Sequence, residues 1–213
     1  MKACFRITIS VLVFLLTLGS VSKAEIDIGY SRQSGWSDNF YLENPDGWSL
    51  YLSKSFSQKM SMRLSFSRLD KNFIYAGYMA FGLIPPNMLL TWELIKSDLS
   101  AKVYEISIHH SLVEGSRMRL DVGGGFGVTN FNLILRGQTT GYRVLRTQKP
   151  AFYSFAVDVT VKKFLFNPIA LRIGYQHRNM ATHNITLDGF EPFHEISYSN
   201  IRVDLLGRFN ADI

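Results

Sequence analysis

The sequence has almost no cysteine and little net charge. Its one cysteine, Cys4, lies in an apolar leader, so the rest of the chain can form neither a disulfide nor a thiolate metal site. Three of the 23 basic residues and none of the 17 acidic residues lie in the leader, which leaves a net charge of +3 for the remainder. A charge this small and this scattered gives no support for nucleic-acid binding, and we expect no nucleic-acid partner.

Residues Met1–Ala24 have the pattern of a secretory signal peptide. Two basic residues precede the apolar core Ile7–Leu18, and Ser22-Lys23-Ala24 forms a small-residue cleavage site. The core is too short for a membrane-spanning helix, which needs about 20 apolar residues. We therefore expect residues 1–24 to be cleaved on export and residues 25–213 to form one domain.

Beyond the leader, eight segments alternate between apolar and polar residues. A period of two is typical of a β-strand with one apolar and one polar face. In chain order the segments are Glu25–Arg32, Trp48–Phe56, Met60–Phe66, Tyr104–Leu112, Met118–Val128, Tyr153–Val161, Ile169–His177 and Ile201–Phe209. Ile196 and Tyr198 fall in the opposite phase from the last segment, which predicts a β-bulge near Ser199-Asn200.

The connections between these segments are alternately long and short. The short ones are Ser57–Lys59, Val113–Arg117 and Lys162–Pro168. This alternation predicts an up-and-down meander with every long loop at one end, which can close into a barrel without a free edge. In the longest connection, Arg68–Lys102, the apolar stretch Phe73–Ile84 indicates either flanking strands that extend above a membrane or a flap that dips into lipid. We favour extended strands.

The polar face decides between a soluble barrel and a membrane barrel. Its charged residues are arginines and acids, with no lysine: Arg63, Arg119, Arg172, Arg202, Arg208, Asp27, Glu105, Asp121, Asp158 and Asp204. Paired arginines and carboxylates suit a narrow lumen, whereas a solvated face would use lysine freely. Aromatic residues near the ends of the apolar faces are typical of an interfacial girdle. We therefore predict an all-β, eight-stranded antiparallel up-and-down transmembrane barrel, monomeric, in the bacterial outer membrane, with a filled lumen.

One histidine ends an apolar row. His177 closes the segment Ile169–His177 at the outer-leaflet end of the seventh strand, and a polar loop containing Glu191 follows it. The neighbours His109 and His110 point to opposite faces of their strand, so they cannot share a metal ion. We expect neither a metal nor an organic cofactor. His177 is either a girdle residue or part of a functional site.

Around His177 the chain resembles the outer-membrane lipid A 3-O-deacylases. Those barrels carry a lipid-facing His-x-Ser-Asn-Ala and a glutamate fourteen residues after the histidine. The corresponding residues here are His177-Arg178-Asn179-Met180-Ala181 and Leu187-Asp188-Gly189-Phe190-Glu191. The glycine-rich stretch Gly123-Gly124-Gly125-Phe126-Gly127 is also similar. The resemblance implies that His177 is a general base, that Glu191 orients it, and that the substrate is an acyl ester of lipid A.

The serine of that pattern is replaced by Asn179, which can donate to an oxyanion but cannot form an acyl-enzyme. Three interpretations are open. Asn179 corresponds to the family's asparagine with one residue deleted, a nearby hydroxyl such as Thr182 is the nucleophile, or catalysis has been lost. The sequence thus predicts either a lipid A ester hydrolase with a site at His177, Asn179 and Glu191, or a non-catalytic barrel acting in surface contact, lipid binding or envelope integrity. If the side chains of His177 and Glu191 lie beyond hydrogen-bond reach of each other and no hydroxyl is nearby, hydrolysis is excluded.

Overall fold

The computed structural model describes residues 24–37, 45–81, 89–141, 143–164, 168–186 and 192–211. They form nine antiparallel strands: β1 (Ala24–Ser37), β2 (Asp46–Ser55), β3 (Met60–Phe81), β4 (Leu89–Glu114), β5 (Met118–Gly137), β6 (Arg143–Gln148), β7 (Ala151–Val161), β8 (Ile169–Thr186) and β9 (Pro192–Ala211). Eight of them close a ring in the order β1–β2–β3–β4–β5–β7–β8–β9, and β9 pairs back with β1. The predicted eight-stranded up-and-down barrel is confirmed.

The predicted leader lies outside the described residues, apart from Ala24. No helix in the described ranges is long and apolar enough to cross a membrane. The turns after β2, β4 and β7 lie at the end of the barrel that also holds both ends of the described chain, and we call this the short-turn end. The opposite end is called the long-loop end.

The ninth strand, β6, arises because the sixth strand position of the barrel is occupied by two successive short strands, β6 and β7. β5 pairs with β7 along Met118–Val128 and with β6 along Phe131–Arg136. Between β6 and β7 lies Lys149-Pro150, and proline has no N–H to donate to a β-ladder. β6 and β7 therefore share one place in the wall, where the sequence predicted a long connection.

β3, β4 and β5 extend far beyond their predicted ends. β3 and β4 pair without interruption from Met60 opposite His110 to Phe81 opposite Leu89. This ladder includes most of the predicted loop Arg68–Lys102, so the interpretation as extended strands is confirmed for the described residues. We call residues 70–81 of β3, 89–100 of β4, 130–137 of β5 and all of β6 the distal sheet.

Outward side chains of the ring are largely apolar and exposed, and the predicted lumen charges point inward. Tyr30 and Phe126 are 52% and 68% exposed, while Arg63 and Asp158 are 2% and 0% exposed. The Asp158 carboxylate accepts hydrogen bonds from Arg63 Nη2 at 2.9 Å and from Arg202 Nη2 at 2.7 Å. The interior near the short-turn end is thus a network of buried ion pairs.

Towards the long-loop end the interior becomes apolar. The residues of this apolar cluster are Leu69, Ile95, Leu99, Ala101, Val103, Phe131, Leu133, Leu135, Phe152, Met180 and Tyr198. At the boundary, Glu105 accepts hydrogen bonds from Arg178 Nη2 at 2.9 Å and Gln176 Nε2 at 2.7 Å. The lumen therefore has two layers, one charged and one apolar.

The predicted bulge near Ser199-Asn200 is wrong. β9 pairs in unbroken register with β1, from Ala24 opposite Ala211 to Ser37 opposite Tyr198. The buried ring of Tyr198 points into the lumen against Gly35, where any Cβ would collide with it. Because the phase of β9 is regular, Ser199 points outward, towards β8.

A carboxylate fastens the turn between β5 and β6. Glu93, on β4 in the distal sheet, accepts hydrogen bonds from the backbone N–H groups of Thr139 at 2.7 Å and Thr140 at 3.0 Å. The Thr140 hydroxyl donates to its other oxygen at 2.6 Å. These bonds, led by the Thr140 hydroxyl, hold the pKa of the Glu93 carboxyl below its usual range.

Replacing Glu93 with glutamine is expected to loosen this turn. A group with a lowered folded-state pKa contributes stability above its ordinary pKa, and the contribution is lost as the pH falls through the lowered value. Amide exchange at Thr139 and Thr140, corrected for intrinsic rates, should therefore be several-fold faster in Glu93→Gln at neutral pH. The difference from the unmutated protein should shrink in acid. Glu114→Gln, at the short-turn end, is the matched control and should leave these amides protected.

Candidate functional site

His177 lies on the outward face of β8 and is partly exposed, as the sequence predicts. It stands opposite Phe155 of β7 and Ser199 of β9. Its Nδ1 is 2.9 Å from Ser199 Oγ, and the hydroxyl of Tyr175 is 3.2 Å from the same Oγ. The structure thus brings a serine hydroxyl to His177 from the neighbouring strand.

The three groups can form one continuous hydrogen-bond chain. A serine hydroxyl donates one proton and accepts at its lone pairs, and a neutral imidazole has one accepting nitrogen. With the ring proton of His177 assigned to Nε2, Ser199 donates to Nδ1 and Tyr175 donates to Ser199 Oγ. A hydroxyl that donates to an imidazole nitrogen is the pairing of a nucleophile with its general base.

Aromatic side chains surround this pair. Trp36 lies directly opposite Ser199 across the β1–β9 ladder, and its ring centroid is 6.0 Å from that of Tyr175. Ser199 itself is 8% exposed. Along the outward face of β9 the next residue towards the short-turn end is Ile201, which is half exposed. The pair therefore sits where the apolar outer wall of the barrel meets its aromatic girdle.

The other predicted site residues have different outcomes. Asn179 shares the outward face of β8 with His177, two residues further along, opposite Tyr153 and Ser197. Glu191 lies outside the described residues, so its pairing with His177 stays a prediction. The same holds for the side chain of Thr182, although its backbone belongs to β8.

The two adjacent histidines point to opposite faces, as predicted. His109 is buried in the lumen with Nε2 3.0 Å from Ser107 Oγ, whereas His110 is exposed on the outer face. In the part of the chain that the structure describes, no group of three or more His, Cys, Asp or Glu residues could hold a metal ion.

Sequence reasoning missed Ser199 because the expected bulge broke the phase of the last strand. The outward row of Ile201, Val203 and Leu205 reaches Ser199 when it is continued by one more step of two. Tyr198 hid this row, because an aromatic residue at an inward position suggests that the alternation of apolar and polar residues has shifted by one. The glycine at position 35 that makes room for its ring lies far away in the sequence.

The closed up-and-down ring, with an apolar outer wall and a charged lumen, is the fold of outer-membrane β-barrels. No protein-family model matches the sequence, and no curated relative is found. Among solved structures, the chain is similar to Neisserial surface protein A, with a TM-score of 0.50 and 10% identity over 87% of this chain and 97% of that one.

Two further outer-membrane proteins are similar in the same way. Ail of Yersinia pestis gives a TM-score of 0.49 and 14% identity over 88% of this chain and 98% of that one. OprG of Pseudomonas aeruginosa gives a TM-score of 0.49 and 12% identity over 89% and 97%. At these identities the likeness is one of fold alone.

Proposed function

We propose that this chain is a bacterial outer-membrane ester hydrolase that removes an acyl chain from lipid A, with Ser199 as the nucleophile and His177 as its base. The observation that carries the proposal is the 2.9 Å hydrogen bond between His177 Nδ1 and Ser199 Oγ on the outer wall of the barrel. A pair that faces away from the lumen meets membrane lipid before any soluble substrate.

The orientation of the barrel makes lipid A the candidate substrate. Outer-membrane barrels place their short turns in the periplasm and their long loops outside. With export directed by residues 1–24, His177 would then lie at the height of the outer leaflet, which is the lipid A leaflet. An acyl chain of that leaflet would lie along Ile201 and Phe155, with its ester near Ser199.

The reaction follows from the hydrogen-bond chain. Ser199 Oγ attacks the ester carbonyl carbon while its proton moves to His177 Nδ1. The tetrahedral intermediate collapses, the ester C–O bond breaks, and His177 returns the proton to the leaving alkoxide. Water then attacks the acyl-enzyme, again giving its proton to His177, and releases the fatty acid with Ser199 restored.

Two further residues have roles in this scheme. In the tautomer with the ring proton on Nε2, that nitrogen is the atom from which a carboxylate such as that of Glu191 would accept a hydrogen bond. The amide of Asn179, on the same face as His177, supplies N–H donors for the carbonyl oxygen as it becomes negative. Asn179 would thus stabilise charge, and the missing serine at its position does not stop the chemistry.

Mass spectrometry of lipid A tests the proposal in cells. Lipid A from cells producing the unmutated protein should lose one ester-linked acyl chain, and lipid A from cells producing His177→Gln should not. Glutamine can keep a hydrogen bond to Ser199 but cannot take its proton. Both proteins must first show faster gel migration unheated than boiled, as folded barrels do.

Lipid A that is unchanged by the folded, unmutated protein would overturn the hydrolase. It would leave the alternative of a non-catalytic barrel that acts through surface contact or lipid binding. Loss of the acyl chain with both proteins would show that hydrolysis does not depend on His177.

A further inference from the structure

Three cations lie in one cross-strand row on the outward face of β1 to β4. Arg32 is directly opposite Trp48, Trp48 is opposite Arg68, and Arg68 is opposite Lys102. Side chains that face each other across antiparallel strands have Cβ atoms about 5 Å apart. We call Arg32, Trp48, Arg68 and Lys102 the basic row.

Each cation of the basic row lies directly beyond an aromatic residue on its own strand. The aromatic residues are Tyr30, Phe66 and Tyr104, each two positions nearer the short-turn end. The Phe66 ring centroid is 5.2 Å from that of Tyr104 and 5.5 Å from that of Trp48. Trp48, Phe66 and Tyr104 are thus in ring contact, and Tyr30 lies in the same cross-strand row as Phe66 and Tyr104. We call these four residues the aromatic belt, and the basic row stands at the height where lipid headgroups begin.

Among the described residues, the three cations of the basic row have one carboxylate partner between them. Arg68 Nε donates to Asp70 at 2.8 Å, and both side chains are about half exposed. Within the described ranges, neither Arg32 nor Lys102 has a carboxylate within ion-pair distance. Like charges directly opposite each other, as at Arg68 and Lys102, are unfavourable in a sheet unless an anion lies between them.

Positive charge at this height is concentrated on one side of the barrel. The first outward residues beyond the apolar band on β5, β8 and β9 are Asn130, His177 and Ser199, and none of them carries a fixed positive charge. Lys149, between β6 and β7, is an exposed cation on this other side. The basic row therefore gathers three cations on neighbouring strands, whereas these four positions hold one.

We propose that the basic row binds the phosphate groups of a phosphorylated glycolipid of the outer leaflet, that is, lipid A. The guanidinium groups of Arg32 and Arg68 offer planar pairs of donors that match phosphate oxygens, and Lys102 adds a point charge. Trp48, between the arginines, anchors the site at the membrane surface. The site lies on β1 to β4, apart from the His177–Ser199 pair, and it does not depend on hydrolysis.

Native mass spectrometry in detergent micelles tests this site with bis-phosphorylated lipid A as the probe. All proteins carry His177→Gln, so that hydrolysis cannot consume the probe. The triple variant Arg32→Gln, Arg68→Gln, Lys102→Gln should bind lipid A about tenfold to a hundredfold more weakly than its parent. Chemically dephosphorylated lipid A should bind weakly to both.

The matched control removes three cations from another cross-strand row. Lys96, Arg136 and Arg143 face one another on the outer side of the distal sheet, far beyond the aromatic belt. Their triple glutamine variant has the same change in charge and should bind lipid A as the parent does. Equal weakening in both triple variants would overturn the site, since it would show a general effect of net charge.

Two other results would also overturn the proposal. Dephosphorylated lipid A that binds as tightly as the phosphorylated form would exclude phosphate recognition. Complete displacement by millimolar inorganic phosphate would show a site for free anions and not for a lipid. Folding of each variant is checked by heat-dependent gel mobility, and Arg32→Gln alone replaces the triple variant if that one does not fold.

Discussion

Replacing Ser199 with alanine is expected to reduce acyl-chain release about a thousandfold or more, because no acyl-enzyme can form without the hydroxyl. His177 would remain in place on β8, since its position depends on the ladders with Phe155 and Ser199 and not on the serine side chain. The measurement is the initial rate of fatty-acid release from lipid A in mixed micelles, with purified folded protein.

The control for this variant is Ser34→Ala. Ser34 is an exposed, outward serine on β1, opposite Ile201, and it makes no described hydrogen bond to His177. Its replacement should change the rate less than twofold. An undiminished rate in Ser199→Ala would remove Ser199 from the mechanism and direct attention to the hydroxyl of Thr182.

Replacing Asp158 with alanine is expected to lower the free energy of unfolding by about 3–5 kcal/mol, the usual cost of removing one partner from a buried ion pair. Asp158 is the shared acceptor of Arg63 and Arg202, and its side chain is fully buried. Without it, two guanidinium groups remain inside the barrel with no carboxylate between them. Urea titration in lipid vesicles, followed by gel mobility of the folded form, measures the change.

An exposed ion pair provides the comparison. Asp70 accepts from Arg68 at a similar distance, 2.8 Å, but both side chains are about half exposed. Asp70→Ala should therefore cost no more than about 1 kcal/mol. If Asp158→Ala and Asp70→Ala unfolded at the same urea concentration, the buried ion-pair network would not be a main source of the barrel's stability.

The strands of the ring were predictable because a bilayer and a lumen impose opposite demands on alternate residues. In Met60–Phe66, for example, the outward residues are apolar and the inward ones are Arg63 and serines, which is the pattern seen. The partner of Arg63 was not predictable. Asp158 is 95 residues away, and the two meet only because of the stagger of the closed barrel.

The extension of β3 and β4 was hidden by a reversal of pattern. Beyond Phe66 the outward residues become Arg68, Asp70 and Asn72, while the inward ones become Leu69 and Phe73. This is the arrangement of a strand that faces water on its outer side. A strand prediction that requires apolar residues at every outward position therefore ends at the aromatic belt, although the strand itself continues.

The candidate site was predictable only in part. The phase of β8 alone places His177 outward at the girdle. Its pairing with Ser199 depends on the register between β8 and β9, which no local pattern specifies. The resemblance to lipid A deacylases pointed to position 179 on the same strand, whereas the hydroxyl lies on the neighbouring strand.

The two-layered lumen makes this barrel an electrical insulator. An ion that entered from the long-loop end would have to leave water for the cluster of Leu69, Leu99, Leu133 and Phe152. Moving a charge into such surroundings costs many kilocalories per mole. The described interior thus resists the passage of current, so a cell could make many copies of this protein without lowering the resistance of its outer membrane.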